Sequence, residues 1–135
     1  MITVVMDTNV LVSGLLTPHS PAAMLVRLIV QGSIRLAFDE RILAEYREVL
    51  TRPRFGFGLE QIEDLLVQIE EEGLKIAAQP VSAMLPDLDD IPFLEAALSP
   101  GVNCLVTGNA KHYPPRERRG IRVISPRECL ELISL

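Results

Sequence analysis

Residues Ile2–Asn9 read ITVVMDTN, a nearly unbroken apolar run followed at once by an acid and two polar residues. An apolar run without alternation is typical of a strand that helices cover on both faces, as in a parallel sheet. The residue after such a strand lies at the carboxyl end of the sheet, where open parallel sheets bind their ligands. Asp7 therefore ends the predicted first strand and is a candidate functional residue.

Five short β-like runs alternate with longer helical patterns along the chain. The runs are Ile2–Met6, Ile34–Phe38, Leu74–Ala77, Val102–Val106 and Ile121–Ile124. This alternation predicts an α/β fold in which helices flank a mostly parallel five-stranded sheet. The fourth run is almost as apolar as the first, so these two strands are expected to lie side by side.

The predicted helices have recognisable starts and ends. Pro21–Val30 and Leu59–Glu72 carry apolar residues at helical spacing and are followed by glycines. Asp39 can cap a helix whose apolar stripe is Ile42, Leu43, Tyr46, Val49 and Leu50. Ser125 begins a capping box that starts the closing helix.

Length and composition predict a single domain over residues 1–135. The chain starts without a basic leader, and its apolar runs are too short to span a bilayer, so a cytoplasmic protein is expected. Cys104 and Cys129 fall in a core strand and an amphipathic helix without partners at metal-ligand spacing. Both are expected to be free, buried thiols.

The net charge of −5 disfavours a nucleic-acid partner at first sight, but the charges are unevenly distributed. Residues 111–127 contain six basic side chains and one acid, Glu117, whereas residues 60–95 contain ten acids and Lys75 alone. A basic face can therefore coexist with an acidic pocket, although each run can equally be a solvated surface.

Two acidic regions accompany Asp7. Glu45 lies three residues after Ile42 and four before Val49, at the border of the apolar stripe, so it is expected to face inward. Asp87, Asp89 and Asp90 precede a helix that carries Phe93 and Leu94. Capping needs one carboxylate and the turn can accommodate solvated acids, but a metal would explain the excess, with Asp90 the best candidate ligand and Asp89 the second.

Thr107 and Asn109 follow the predicted fourth strand, so they are expected at the same sheet edge as Asp7. Three gathered carboxylates repel one another unless a cation neutralises them, and oxygen ligands suit magnesium or manganese rather than zinc. His19 and His112 have no second histidine at ligand spacing, so His112 is interpreted as a phosphate contact and His19 as a loop residue.

Four motifs together resemble the PIN-domain family over essentially the whole chain, in order. They are Met6-Asp7-Thr8-Asn9-Val10-Leu11, Glu45-Tyr46-Arg47-Glu48-Val49-Leu50, Asp89-Asp90 before Phe93-Leu94-Glu95-Ala96-Ala97, and Leu105-Val106-Thr107-Gly108-Asn109. Each motif alone is weak, whereas four in order are specific. The chain looks most like the toxins of bacterial and archaeal toxin–antitoxin systems, to which the VapC ribonucleases are related.

The resemblance implies a Rossmann-like three-layer sandwich that binds one or two magnesium or manganese ions and hydrolyses single-stranded RNA. Asp7, Glu45 and Asp90 match the first three acidic positions of the family. Asn109 stands where the family usually has a fourth acid, which predicts a weaker second metal. Asn9 and Thr107 match positions that organise the pocket by hydrogen bonds.

Partners follow from the same resemblance: RNA, a cognate antitoxin protein and a second copy of the chain in a homodimer. The predicted contacts to the RNA backbone are basic or imidazole side chains near the carboxylates. They are Lys111, His112, Arg116, Arg118 and Arg119, with Arg52 and Arg54 as further candidates.

Two other readings remain open on the sequence. Receiver and dehalogenase-like phosphotransfer domains also place aspartates after parallel strands, but Asn9 and Gln79-Pro80 stand where those classes need acids. A catalytically silent PIN fold that binds RNA or protein is the second alternative, and Asn109 favours it.

Overall fold

The computed structural model describes residues 1–134, so Leu135, the last residue of the predicted domain, lies outside the described residues. Its centre is a five-stranded parallel sheet in the order β3-β2-β1-β4-β5. The strands are β1 Thr3–Met6, β2 Arg35–Phe38, β3 Leu74–Lys75, β4 Cys104–Val106 and β5 Val123–Ile124. The predicted α/β class is confirmed, as is the pairing of the first and fourth strands.

Six α-helices flank the sheet in the described part of the chain. They are α1 Thr8–Leu16, α2 Pro21–Val30, α3 Glu40–Leu50, α4 Leu59–Glu72, α5 Ile91–Ala97 and α6 Pro126–Ile133. Short 3-10 helices occupy Pro53–Phe55, Leu88–Asp90, Ala110–His112 and Pro115–Glu117. Between residues 1 and 134, no helix is long and apolar enough to cross a membrane.

The predicted helix starts are confirmed. Oδ1 of Asp39 accepts a hydrogen bond from the Ile42 amide, and Ser125 and Glu128 form both bonds of a capping box. Of the three acids before α5, Asp87 caps the 3-10 helix Leu88–Asp90, because its Oδ1 accepts from the Asp89 amide at 2.9 Å, whereas Asp90 stands at the N-cap position of α5 without a side-chain capping bond. Capping therefore leaves Asp90 available for another role.

Helix α1 was not predicted, because TNVLVSGLL contains a glycine and several β-branched residues, which favour helices poorly. It forms against α2, and Gly14 allows the close approach. A Cβ at Gly14 would lie 2.7 Å from Val26 Cγ2 and 2.9 Å from the Ala22 carbonyl oxygen. Packing between the two helices therefore overrides the local propensity of the segment.

The strands are shorter than predicted: β1 and β2 by one residue each, and β3, β4 and β5 by two residues each. The central strands are fully buried, and Cys104 and Cys129 are both free and buried, as expected. The register pairs Met6 of β1 with Val106 of β4, so the residues that follow these strands emerge together at the carboxyl edge of the sheet.

Candidate active site

Asp7 is held at the end of β1 by donors from two other segments. Its backbone amide donates to the Val106 carbonyl at 2.9 Å, and its side chain is 5% exposed. Oδ2 of Asp7 accepts hydrogen bonds from Thr107 Oγ1 at 3.0 Å and from the Tyr113 hydroxyl at 3.1 Å. Burial raises the pKa of Asp7, and the hydrogen bonds from Thr107 and Tyr113 counteract part of that rise. The carboxylate is thus fixed in orientation within a desolvated site.

Asp90 is also buried, at the end of the 3-10 helix that leads into α5, and is 7% exposed. Its Oδ2 has no hydrogen-bond partner among the described residues, although His112 Nδ1 lies 3.1 Å away. Burial raises the pKa of Asp90 to about 7; the negative charge of Asp7 adds to the rise and His112 opposes it. A buried carboxylate oxygen without a donor is costly unless a proton or a cation satisfies it.

Asp7, Asp90 and His112 each offer a ligand atom, and these atoms all lie within 4.8 Å of one another. Because Asp90 also carries a buried oxygen without a donor, the group fits a divalent cation. The sequence pattern did not predict that His112 Nδ1 lies 3.1 Å from Asp90 Oδ2; the role of His112 as a phosphate contact stays a prediction. Hydrolytic metal sites use such convergent carboxylates.

Glu45 of α3 borders the same pocket but lies outside the tightest group. Its side chain is half-buried, and Oε2 accepts a hydrogen bond from the Thr8 hydroxyl. Burial raises the pKa of Glu45, the Thr8 hydrogen bond opposes that rise, and the charge of Asp7 reinforces it. Glu45 is therefore partly turned inward, where the charge of Asp7 acts on it.

Asn9 joins the start of α1 to the segment after β4, and Asn109 makes hydrogen bonds within that segment. Asn9 Oδ1 accepts from the Gly108 amide at 3.2 Å, and Asn109 Oδ1 accepts from the Lys111 amide at 3.3 Å. The Asn109 amide donates to Thr107 Oγ1 at 3.1 Å, so Thr107 links Asn109 to Asp7. Asn109 thus begins the Ala110–His112 helix, and Asp89 is exposed beside the pocket.

The structure places the predicted RNA-binding cations in different settings. Three of the arginines make contacts within the chain: Arg52 pairs with Glu48, Arg118 donates to the carbonyls of Tyr113 and Ala110, and Arg119 donates to the carbonyl of Ser82. Arg54 lies over the Phe55 ring at 4.8 Å. Lys111 and Arg116 are exposed on the loop that carries His112.

Sequence reasoning did not identify Thr8 or Tyr113 as site residues. Thr8 adjoins Asp7, but its bond to Glu45 depends on how α3 crosses the sheet edge. Tyr113 is fully buried, and the cluster Lys111-His112-Tyr113, shortly after the strand that precedes Thr107, is the one local signal that could have identified it.

Comparison with known proteins agrees with this geometry. A family model described as PIN domain matches residues 3–111, which include Asp7, Glu45 and Asp90. No significant match is found among curated proteins. PIN domains are in general metal-dependent nucleases, and the acidic group at the sheet edge fits a divalent cation. The match covers well over half of the sequence, and the chain belongs to the PIN-domain family.

Proposed function

We propose that this chain is a magnesium- or manganese-dependent endoribonuclease that hydrolyses phosphodiester bonds of single-stranded RNA. The observation that carries the proposal is the buried, donor-free Oδ2 of Asp90 beside Asp7 at the carboxyl edge of the sheet. An oxygen in that position is available to bind a cation, and nuclease chemistry on a PIN fold requires a bound cation.

Asp7, Glu45 and Asp90 would hold the metal. Asp89, which adjoins Asp90, and Asn109, two residues after Thr107, are further candidate ligands. A cation bound there supplies Lewis acidity that activates a water for attack on phosphorus and offsets negative charge on the phosphate. Thr107 and Tyr113 keep Asp7 oriented. Thr8 donates to Oε2 of Glu45 and so keeps that carboxylate oriented at the site.

The covalent change is a simple displacement at phosphorus. The attacking water gives up one proton to solvent and its oxygen forms a bond to phosphorus as the bond from phosphorus to the 3′-oxygen breaks. The leaving 3′-oxygen takes up a proton from solvent. The products are a 5′-phosphate and a 3′-hydroxyl.

An RNA strand as substrate is supported by the surface beside the carboxylates. Lys111 and Arg116 are exposed there and can contact phosphates. Arg116 also borders a cavity of about 370 Å³ whose other walls are apolar: Ala83, Met84, Leu85, Pro86, Leu88 and Pro114. Leu88 is 72% exposed two residues before Asp90, so an unpaired base could lie against it while its phosphate approaches the metal site.

We extend the proposal to a toxin of a toxin–antitoxin system that acts in the cytoplasm. The resemblance to the toxin branch of the family supports this role. Exposed apolar side chains on the N-terminal helices and on α4 support contacts with an antitoxin protein or with a second copy in a homodimer; they are Leu16, Met24, Val30 and Val67.

A catalytically silent PIN fold that binds RNA or protein is the second candidate. Asn109 favours it, because a neutral amide stands where the family usually has a fourth acid, and its oxygen already caps the Ala110–His112 helix.

The experiment is an endonuclease assay with end-labelled, unstructured RNA and either Mg²⁺ or Mn²⁺. We expect cleavage by the parent chain and a loss of at least about 100-fold in Asp7→Asn and Asp90→Asn, because each removes a charged ligand. The matched control is Asp64→Asn, which removes an exposed acid from α4. Cleavage that persists in both site variants contradicts the assigned site.

Absence of cleavage by the parent, together with retained RNA or protein binding, would favour the silent module. The toxin role is tested separately, by expressing the protein in growing cells. Expression of the parent should arrest growth, Asp90→Asn should not, and co-expression of the neighbouring gene should restore growth. Normal growth under strong expression of an active parent contradicts the toxin role.

A further inference from the structure

His112 occupies the position that a ligand to the metal would occupy. A ring nitrogen of His112 lies in the group with Asp7 and Asp90 whose ligand atoms are within 4.8 Å of one another. Its side chain is 36% exposed, against 10% for the side chain of Asp90, so the ring closes the outer side of the carboxylate pair. The imidazole therefore stands between the buried acids and solvent.

The backbone around His112 is fixed on both sides. Asn109 Oδ1 accepts from the Lys111 amide, and the His112 amide donates to the Asn109 carbonyl at 3.1 Å. On the other side, Tyr113 is tied to Asp7 through its hydroxyl, and the Arg118 guanidinium donates to the Tyr113 carbonyl at 2.6 Å. The imidazole is thus preorganised against the carboxylates, as metal ligands are.

A simple ion pair between His112 and Asp90 does not account for the geometry. The two atoms, Nδ1 and Oδ2, are 3.1 Å apart, yet Oδ2 receives no hydrogen bond from any described group. A protonated ring in an ion pair would be expected to donate to that buried oxygen. The two atoms are therefore neighbours without a hydrogen bond between them, and both are available to bind one cation.

We propose that His112 is a metal ligand that fills the corner left neutral by Asn109, and that the site consequently prefers Mn²⁺ to Mg²⁺. Mg²⁺ binds almost entirely through oxygen, whereas first-row transition ions accept imidazole readily. The inference rests on the proposed metal-dependent function, but it concerns which ion binds and through which atom. Metal binding alone can test it, without any RNA.

The experiment uses metal-stripped full-length protein. Mn²⁺ binding is followed by electron paramagnetic resonance, and electron spin-echo modulation detects any nitrogen nucleus bound to the ion. We expect nitrogen coupling in the parent chain, and Mn²⁺ affinity at least about 10-fold above Mg²⁺ affinity. In His112→Gln the nitrogen coupling should vanish and the Mn²⁺ affinity should fall about 10-fold, with a smaller change for Mg²⁺.

Two further variants keep the result interpretable. His19→Gln replaces the other histidine of the chain, in an exposed loop, and should retain the coupling and the parental affinities. His112→Glu replaces nitrogen by oxygen and should bind Mg²⁺ more tightly than the parent does. Circular dichroism and thermal unfolding confirm that each variant is folded.

The proposal is overturned if Mn²⁺ bound to the parent shows no nitrogen coupling, or if His112→Gln keeps the parental ratio of Mn²⁺ to Mg²⁺ affinity. Failure of the ribonuclease proposal gives a different pattern. There the nitrogen coupling and the ion preference would be present, but no RNA would be cleaved.

Discussion

Thr107, the first residue after β4, donates a hydrogen bond of 3.0 Å to Asp7, the first residue after β1. The bond is a direct consequence of the register between β1 and β4, which are adjacent and parallel. The same oxygen of Asp7 accepts from Tyr113, so two donors from the β4 side determine how one carboxylate of the site is oriented.

Removing the hydroxyl of Tyr113 should therefore weaken metal binding without unfolding the protein. We expect Tyr113→Phe to lower the affinity for Mn²⁺ about 10-fold, because outer hydrogen bonds that orient a ligand typically contribute that much. Isothermal titration calorimetry measures the change. Tyr46→Phe is the control, because it also removes a buried tyrosine hydroxyl, but one that donates to the backbone carbonyl of Met6, at 2.5 Å, and not to a carboxylate of the site. Equal losses of affinity in the two variants would show that Tyr113 has no specific role.

Thr8 should act on cleavage through Glu45. Its hydroxyl donates to Glu45 Oε2, so Thr8→Val leaves the carboxylate free to rotate away from the metal site. We expect Thr8→Val to lower kcat about 10-fold with KM nearly unchanged, and Thr8→Ser, which keeps the hydroxyl, to restore the rate. Steady-state kinetics on labelled RNA provide the measurement. If the valine variant cleaves at the parental rate, Thr8 does not position Glu45.

Without metal, the stability of the protein should fall as pH rises towards neutrality. The pKa of Asp90 is about 7 in the folded chain against an ordinary value of 3.8, so ionising this group opposes folding. The ionisation of Asp90 therefore lowers the free energy of unfolding most above pH 7. This loss of stability becomes smaller as the pH falls from about 7 towards 4. Asp7 and Glu45, whose pKa values are also raised, act in the same direction.

Asp90→Asn should remove much of this dependence, because the amide does not ionise. In EDTA at pH 8 we expect the variant to melt several degrees above the parent, and at pH 5 the difference should shrink. Asp89→Asn, at an exposed neighbouring position, is the control and should follow the parent. A parent chain whose advantage over Asp90→Asn grows with pH would contradict the sign of the pKa shift.

Gly73, between α4 and β3, should be irreplaceable for steric reasons. A Cβ there would lie 2.5 Å from the Leu36 carbonyl oxygen and 3.1 Å from Phe38 Cε1, both of which belong to β2. We expect Gly73→Ala to lower the free energy of unfolding by about 3 kcal/mol. Urea denaturation measures the loss. At Gly58, by contrast, a Cβ would meet only the flexible side chain of Gln61, so Gly58→Ala should change stability by less than about 1 kcal/mol.

The sequence was informative wherever a local pattern determines the structure. The apolar run before Asp7 predicted a central parallel strand, and the capping residues Asp39 and Ser125 predicted the starts of α3 and α6. These features depend on residues within one turn or one strand, so they can be inferred from adjacent positions.

Features that depend on contacts distant in sequence could not be predicted in this way. Helix α1 forms because Gly14 packs on Ala22 and Val26, although its own residues favour a helix poorly. His112 was assigned to phosphate because no second histidine stands near it in sequence. Its carboxylate neighbour is Asp90, 22 positions away, and the fold alone brings them together.

The Asp7–Asp90 metal site can be tested most directly by diffraction from crystals that contain Mn²⁺, with data collected at a wavelength where manganese scatters anomalously. We predict an anomalous peak within bonding distance of carboxylate oxygens of both Asp7 and Asp90, and its disappearance in Asp90→Asn. The assignment would be contradicted if no peak is found at the site at a Mn²⁺ concentration that supports RNA cleavage. It would also be contradicted if the bound Mn²⁺ gives its peak elsewhere on the chain.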